Sequence, residues 1–317
     1  MTKRFIALTL LVVSLAFGPV ASADGGRPQF SNFYVFGDSL SDPGNVFTLT
    51  GMTAVAPFEP IPSAPYRSKR FTNGRVWVER LANWMGVPKG GRPAFLRPNK
   101  FGNYALGGSR AGPSDNPLFT LNGQVDTFLN NVGGEASPNA LYIIWFGGND
   151  VRDALVAASS DPTFATSEAI IAAGVQAEVA GISKLYAAGA RKFLILNAPN
   201  VALTPAVTSQ GPAAVGGALL LSQAFNDGLS GALDFVEASA PGIEIYRFDV
   251  FALLSDIAAD PAAFRLRNIV DACLEFFVVE DPVCKRPNRF LFWDAIHPTR
   301  FTHRTLAKEV KAFLRAQ

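Results

Sequence analysis

Histidine and cysteine are nearly absent: the chain has two of each among 317 residues. No set of them has the spacing of a metal site, so no metal is expected. Charge is sparse as well. Charged residues are 17% of the chain and hydrophobic ones 49%, which excludes a disordered chain and predicts a large core. Basic and acidic residues nearly balance, 28 against 26. No block of one sign stands out, and no nucleic-acid partner is expected. Beyond the first twenty or so positions no apolar run is long enough to cross a membrane. Long linkers and internal repeats are also lacking, and residues 24–317 are expected to form one domain.

The N-terminus is what the rest is not. Lys3 and Arg4 precede an apolar run from Phe5 to about Phe17, and Ala21–Ala23 has the small-x-small form of a cleavage site. A positive start, a short apolar stretch and such a site define a signal peptide. The run is short for a membrane anchor, and Gly18 and Pro19 follow it. Cleavage after Ala23 would remove two basic residues and no acid, leaving a mature chain of zero net charge. The expected destination is the periplasm or the exterior of a bacterial cell. In such an oxidising compartment Cys273 and Cys284, with ten residues between them, are expected to form a disulfide.

Short runs of aromatic and β-branched residues predict strands at Phe33–Phe36, Tyr104–Leu106, Leu141–Phe146, Phe193–Leu196 and Ile243–Phe248. Several are apolar at consecutive positions, as in strands covered on both faces. Longer segments with helical spacing lie between and after them, within residues 74–86, 166–190, 217–239 and 299–316. In the first, Val76, Leu81 and Trp84 fall near one face. In the second, Ser167 is the expected cap, with Glu168 in the first turn. Alternating strands and helices predict an α/β protein, a parallel sheet between helical layers. The proline-rich stretch Pro57–Pro65 reads as a surface loop, and whether it acts as a lid is open.

Ligands of an open parallel sheet bind beyond the carboxyl ends of its strands. Three predicted strands end in glycine with small polar residues: Gly37-Asp38-Ser39, Gly107-Gly108-Ser109 and Gly147-Gly148-Asn149-Asp150. Ser39 is a poor nucleophile without a base, and a base needs an orienting partner. Asp294 stands three residues before His297, a spacing that lets a carboxylate reach the imidazole, and Pro298 can open the terminal helix. An oxyanion would need donors, for which the Ser39 and Gly108 N–H groups and the Asn149 amide are candidates. His303 reads as a surface or satisfied core residue. Asp150, Asp42, Asn45 and Asn103 read as structural. Phe47, Phe58, Tyr66, Phe71, Trp77 and Phe146 include possible pocket walls, but most such residues are core.

The segments "FGDSLSDPGN", "NYALGGS", "GGND" and "DAIH" together resemble, in order, the four conserved blocks of the GDSL esterases and lipases, the SGNH hydrolase superfamily. The first block is most similar to that of the lipase, phospholipase and choline-ester branch. The resemblance implies a flavodoxin-like three-layer α/β/α fold. It implies Ser39 as nucleophile, Asp294 and His297 as the other triad members, and Ser39, Gly108 and Asn149 as oxyanion donors. Gly107 is the alternative to Gly108. No G-x-S-x-G elbow surrounds Ser39, which sets the chain apart from ordinary α/β-hydrolases. Some family members carry a C-terminal outer-membrane barrel, for which the twenty residues after His297 leave no room.

The expected function is an exported serine esterase or lipase acting on acyl esters, phospholipid and choline esters included, with no cofactor. A carbohydrate acetyl-esterase is the alternative within enzymes. A periplasmic solute- or glycan-binding protein without turnover is the alternative of another class.

Overall fold

In the computed structural model, which describes residues 29–50, 65–67, 69–275 and 282–317, the strands alternate their side chains between two helical layers. The leader reading, Phe58 and the stretch from Pro57 to residue 64 lie outside those residues. Four five-residue strands, β1 (Phe33–Gly37), β2 (Leu141–Trp145), β3 (Lys192–Leu196) and β4 (Glu244–Phe248), form a parallel sheet in the order β1-β2-β3-β4. Phe36, Tyr142, Ile144, Phe193 and Ile195 face one way and enter the larger core. Val35, Ile143, Leu194 and Leu196 face the other way into a second core. This two-residue period, with both faces apolar, is why β1, β2 and β3 read as nearly continuous hydrophobic runs.

Helices α1 (Asn45–Thr50), α2 (Trp77–Trp84), α3 (Leu121–Asn131), α4 (Gly148–Ala158), α5 (Ala165–Ala187), α6 (Pro205–Thr208), α7 (Pro212–Ser239), α8 (Val250–Ala259) and α9 (Arg300–Ala316) complete the main elements. Residues of α3, α4, α5 and α7 fill the first core, and residues of α2, α8 and α9 fill the second. The result is the three-layer α/β/α arrangement the pattern predicts.

Sequence and structure differ in several places. Tyr104–Leu106 is not a continuous strand, although it runs beside β1. Val35 donates to Gly102 at 2.9 Å, Tyr104 to the Val35 carbonyl at 2.8 Å and Leu106 to the Gly37 carbonyl at 3.0 Å. It thus acts as a short edge on the far side of β1. Ser167 does not cap α5: the helix starts two residues earlier, and the Ser167 hydroxyl donates to the Ala154 carbonyl at 2.8 Å. Asp161 instead collects the N–H groups of Thr163 and Thr166. Trp84 is partly exposed on α2 while Leu81 is buried. Pro298 precedes α9, whose N-cap is Thr299.

A second small sheet pairs β5 (Asn268–Ala272) with β6 (Phe290–Phe292). Cys273, at the end of β5, is disulfide-bonded to Cys284, with a Cα separation of 4.8 Å. This bridge was expected; the sheet beside it was not. Cys273 and Leu274 donate to the carbonyls of Phe292 and Trp293 at 3.2 and 2.7 Å. These bonds fix the chain directly before Asp294.

Candidate active site

Counting the Tyr104 edge, the sheet has the spatial order of a flavodoxin-like fold. The chain moves outward on one side of β1, then returns to build the other. The crevice at that reversal is where such a sheet binds ligands. Ser39 follows β1, Gly107 and Gly108 follow the edge segment, and Asn149 opens α4 after β2. All three loops therefore meet at one crevice, and the turn between β6 and α9 brings Asp294 and His297 over it.

The Ser39 Oγ lies 2.8 Å from His297 Nε2, and His297 Nδ1 lies 2.8 Å from Asp294 Oδ2. Asp294 Oδ1 accepts the backbone N–H groups of Ile296 and His297 at 2.8 and 2.6 Å. The Trp293 N–H donates to the His297 carbonyl at 2.7 Å and closes the turn. The three-residue spacing thus works through a tight turn in which one carboxylate oxygen caps the backbone and the other holds the ring. A residue not assigned a role from sequence completes the array. The Tyr66 hydroxyl donates to Asp294 Oδ2 at 2.6 Å. Its distance of 228 positions from Asp294 explains why no local pattern marks it.

Electrostatics separate Asp294 from the other acids of the crevice. Burial pushes the Asp294 carboxyl up, but the facing His297, its N–H donors and the Tyr66 hydroxyl outweigh this and hold it below its ordinary value. Asp38 goes the other way. Burial raises it to about 7, against opposing contributions from the Leu40 N–H, His297 and Arg152. Asp42 is raised to about 6, chiefly by burial. Asp150 is raised for the same reason, despite N–H donors from Gly112 and Ala111. Only Asp294, among these four, favours its charged form at the expense of its burial.

Two adjacent glycines divide their duties. The Gly107 N–H donates to Asp42 Oδ2 at 3.0 Å, and a Cβ at Gly107 would lie 2.2 Å from the Phe71 ring. Gly108 has φ +83°, and the space a Cβ would take is open. Such a φ favours glycine. Among the described residues the N–H groups of Ser39 and Gly108 have no acceptor. Asn149 Nδ2 donates to the Ser109 carbonyl at 2.8 Å with one of its two hydrogens, and its Oδ1 accepts from Arg152 at 3.2 Å. It stands in the first turn of α4, where the helix dipole favours negative charge.

Side chains read as structural tie these loops together. Asp42 accepts from Gly44, Asn45 and Val46 as well as Gly107. Asn45 Nδ2 donates to the carbonyls of Asn103 and Ala105 at 2.7 and 2.9 Å. Asp150 accepts from Ala111 and Gly112, both at 3.0 Å. Gln124 of α3 bonds both the N–H and the carbonyl of Gly37, and donates to Ser109 Oγ. His303 is buried and takes the core role. Its Nδ1 accepts the Trp77 N–H at 3.3 Å, and burial lowers its pKa to about 3.

An apolar pocket opens beside Ser39 and Asn149, with about 810 Å³ of empty space including its mouth. Its walls include Val250, Leu253, Leu254 and Ile257 of α8, with Phe292 and Leu306 opposite. Of the aromatics singled out in the sequence, Phe47, Trp77 and Phe146 do not line it and are buried. Phe71 covers the His297 ring at 5.4 Å between centroids. Among the described residues no group of three or more His, Cys, Asp or Glu has the geometry to hold a metal ion. No helix among them is long and apolar enough to cross a membrane.

A parallel three-layer fold with a serine, a histidine and a carboxylate in one hydrogen-bonded line is the framework of a hydrolase. The family model described as GDSL-like Lipase/Acylhydrolase matches residues 33–310, and the chain belongs to that family. It is a serine ester hydrolase. Its relatives include a GDSL esterase/lipase of Arabidopsis thaliana, 27% identical, with 98% of this chain and 96% of the relative covered. A phosphatidylcholine-sterol acyltransferase of Aeromonas hydrophila is 26% identical, with 100% and 98% covered. Lipase 1 of Photorhabdus luminescens is 29% identical over 59% of this chain and 25% of its own length.

Proposed function

We propose that the protein is an exported lipase-type esterase, one domain over residues 24–317, that transfers the acyl group of a lipid-like ester to Ser39 and then to water. Ser39 Oγ attacks the ester carbonyl while His297 Nε2 takes its proton. The C–O bond to the alcohol breaks as His297 returns that proton to the leaving oxygen. A water, deprotonated in turn by His297, attacks the acyl-enzyme and releases the carboxylic acid and a free Ser39. Asp294, kept ionised by its donors, holds the imidazole tautomer and stabilises the imidazolium. The Ser39 and Gly108 N–H groups and the second Asn149 hydrogen receive the oxyanion.

The observation that carries this reading is the Ser39–His297–Asp294 line, with 2.8 Å at both links, opening onto a pocket with apolar walls. Those walls favour an acyl chain over a sugar, whose hydroxyls would need polar partners. They therefore weigh against the carbohydrate acetyl-esterase and glycan-binding alternatives. The leader at residues 1–23 and the disulfide support export. The acyltransferase and lipase names among the relatives agree with lipid esters as substrates.

The test is hydrolysis of p-nitrophenyl esters from acetate to palmitate by the wild type and by Ser39→Ala. The variant is expected to stay folded and lose about a million-fold in turnover. A folded Ser39→Ala protein with wild-type turnover would refute the assignment.

A further inference from the structure

The near-zero charge balance conceals a strong local asymmetry. From Arg67 to Arg110 the chain carries ten Lys and Arg residues and a single acid, Glu79. The absence of any like-charge block, as first read from the sequence, fails here because apolar residues space the cations out. Folding draws them together. Lys69, Arg70, Arg75, Arg92 and Arg97 line one open concavity. Arg70 is paired with Glu79 at 2.6 Å. Among the described residues Lys69, Arg75, Arg92 and Arg97 have no carboxylate partner within ion-pair distance. The Arg92 and Arg97 guanidinium groups lie 5.4 and 6.0 Å from the Phe101 ring centroid, which limits their freedom. Leu96, between them in the chain, is 53% exposed.

The concavity adjoins the catalytic crevice through two short segments. Pro43 lines it four residues after Ser39, and Arg70 lines it one residue before Phe71, the ring that covers His297. We propose that this basic face docks the enzyme on the surface of an anionic phospholipid bilayer. The charge is complementary to lipid phosphates, five cations against the single acid Glu79 line the concavity, and an exposed leucine sits among them. Cations near an anionic membrane surface act additively, and an apolar side chain beside them can enter the headgroup region. Docking there brings the crevice close to a supply of acyl esters. The proposal goes beyond the hydrolytic assignment and is read by binding alone.

The experiment is cosedimentation of the protein with vesicles of phosphatidylcholine alone and of phosphatidylcholine mixed with phosphatidylglycerol. Wild-type protein is expected to sediment with the mixed vesicles and much less with the neutral ones. Raising salt from about 0.1 M to about 1 M should release it, because the screening length falls from about 10 to about 3 Å. The double variant Arg92→Glu/Arg97→Glu is expected to lose roughly 30-fold or more in vesicle affinity, about fivefold per cation removed before repulsion is added. Its turnover of a soluble short-chain ester should match wild type, which also shows that it folds. Equal sedimentation with both vesicle types, no sedimentation with either, or binding that survives high salt would overturn the proposal. So would undiminished binding by the folded double variant. Binding to heparin without binding to mixed vesicles would assign the face to a soluble polyanion instead and overturn it equally. The wild-type salt series decides the matter even if the variant does not fold.

Discussion

Replacing Leu254 by tryptophan tests the acyl pocket where it is most exposed to disproof. Leu254 is half-buried on α8 and lines the pocket that begins beside Ser39 and Asn149. In the wild type each methylene buried there should contribute about 0.8 kcal/mol to transition-state binding, or roughly fourfold in kcat/KM per methylene. From acetate upward the series should therefore climb steeply until the pocket is full. An indole in place of the isobutyl group would take the space of about two methylenes. Long esters would then lose about 1.6 kcal/mol, roughly 15-fold in kcat/KM, while acetate is spared. The assay is the kcat/KM ratio of octanoate to acetate for both proteins, with thermal unfolding to confirm that the variant is folded. A flat chain-length profile in the wild type would refute the reasoning. So would an equal loss on acetate and octanoate, because that would report damaged chemistry rather than a shortened pocket.

Asn149→Ala removes the proposed side-chain oxyanion donor and should cost roughly 10²–10³-fold in kcat, with KM changed far less; steady-state kinetics on one ester checks this. Tyr66→Phe removes a hydrogen bond to a charged carboxylate and should lower kcat about tenfold. That bond helps hold Asp294 below its ordinary value, so without it Asp294 protonates at higher pH. The acid-side loss of activity is expected to begin at higher pH than in the wild type, and superimposable pH profiles would count against the role. Glu178 is wholly buried on α5 with both carboxylate oxygens unpartnered, and burial, with Asp150, raises its pKa well above the ordinary 4.5. The stability its neutral form retains is complete below that unfolded value and is lost as pH rises toward the folded one. Glu178→Met should therefore flatten the decline of Tm as pH rises above about 5; an unchanged slope would show that other groups set it.

What the sequence made legible followed from local rules. Four strands carry aromatic and β-branched runs long enough to read; β1, β2 and β3 are buried on both faces, while the edge strand β4 is only half-buried. Ser39, Gly108, Asn149, Asp294 and His297 stood out because glycine-marked strand ends and a three-residue acid–histidine spacing are local signals. The structure gathers them at one crevice. The Tyr104 edge was over-read as a regular strand, since a run of tyrosine, alanine and leucine has no signal for where ladder pairing stops. Helices α1, α3, α4, α6 and α8 were missed. Each is short, and α4 begins at the two glycines that announce the loop. Tyr66 and Gln124 act across 228 and 87 positions, which no periodicity reveals. The basic concavity was missed because a whole-chain charge count averages over it.

The two jobs of the crevice are carried by different stretches of chain. Asp42, Asn45, Gln124 and Asp150 bind the loops of the proposed catalytic site to one another through the sheet ends and α3. Four residues of the apolar wall come from α8, a ten-residue helix that lends none of these bonds. The molecule is therefore modular at the scale of a single helix. Exchanging residues 250–257 for a stretch with larger, smaller or more polar side chains would retune which esters are accepted, without asking the reacting groups to move. Directed evolution for new chain lengths would do best to concentrate its libraries on that one segment.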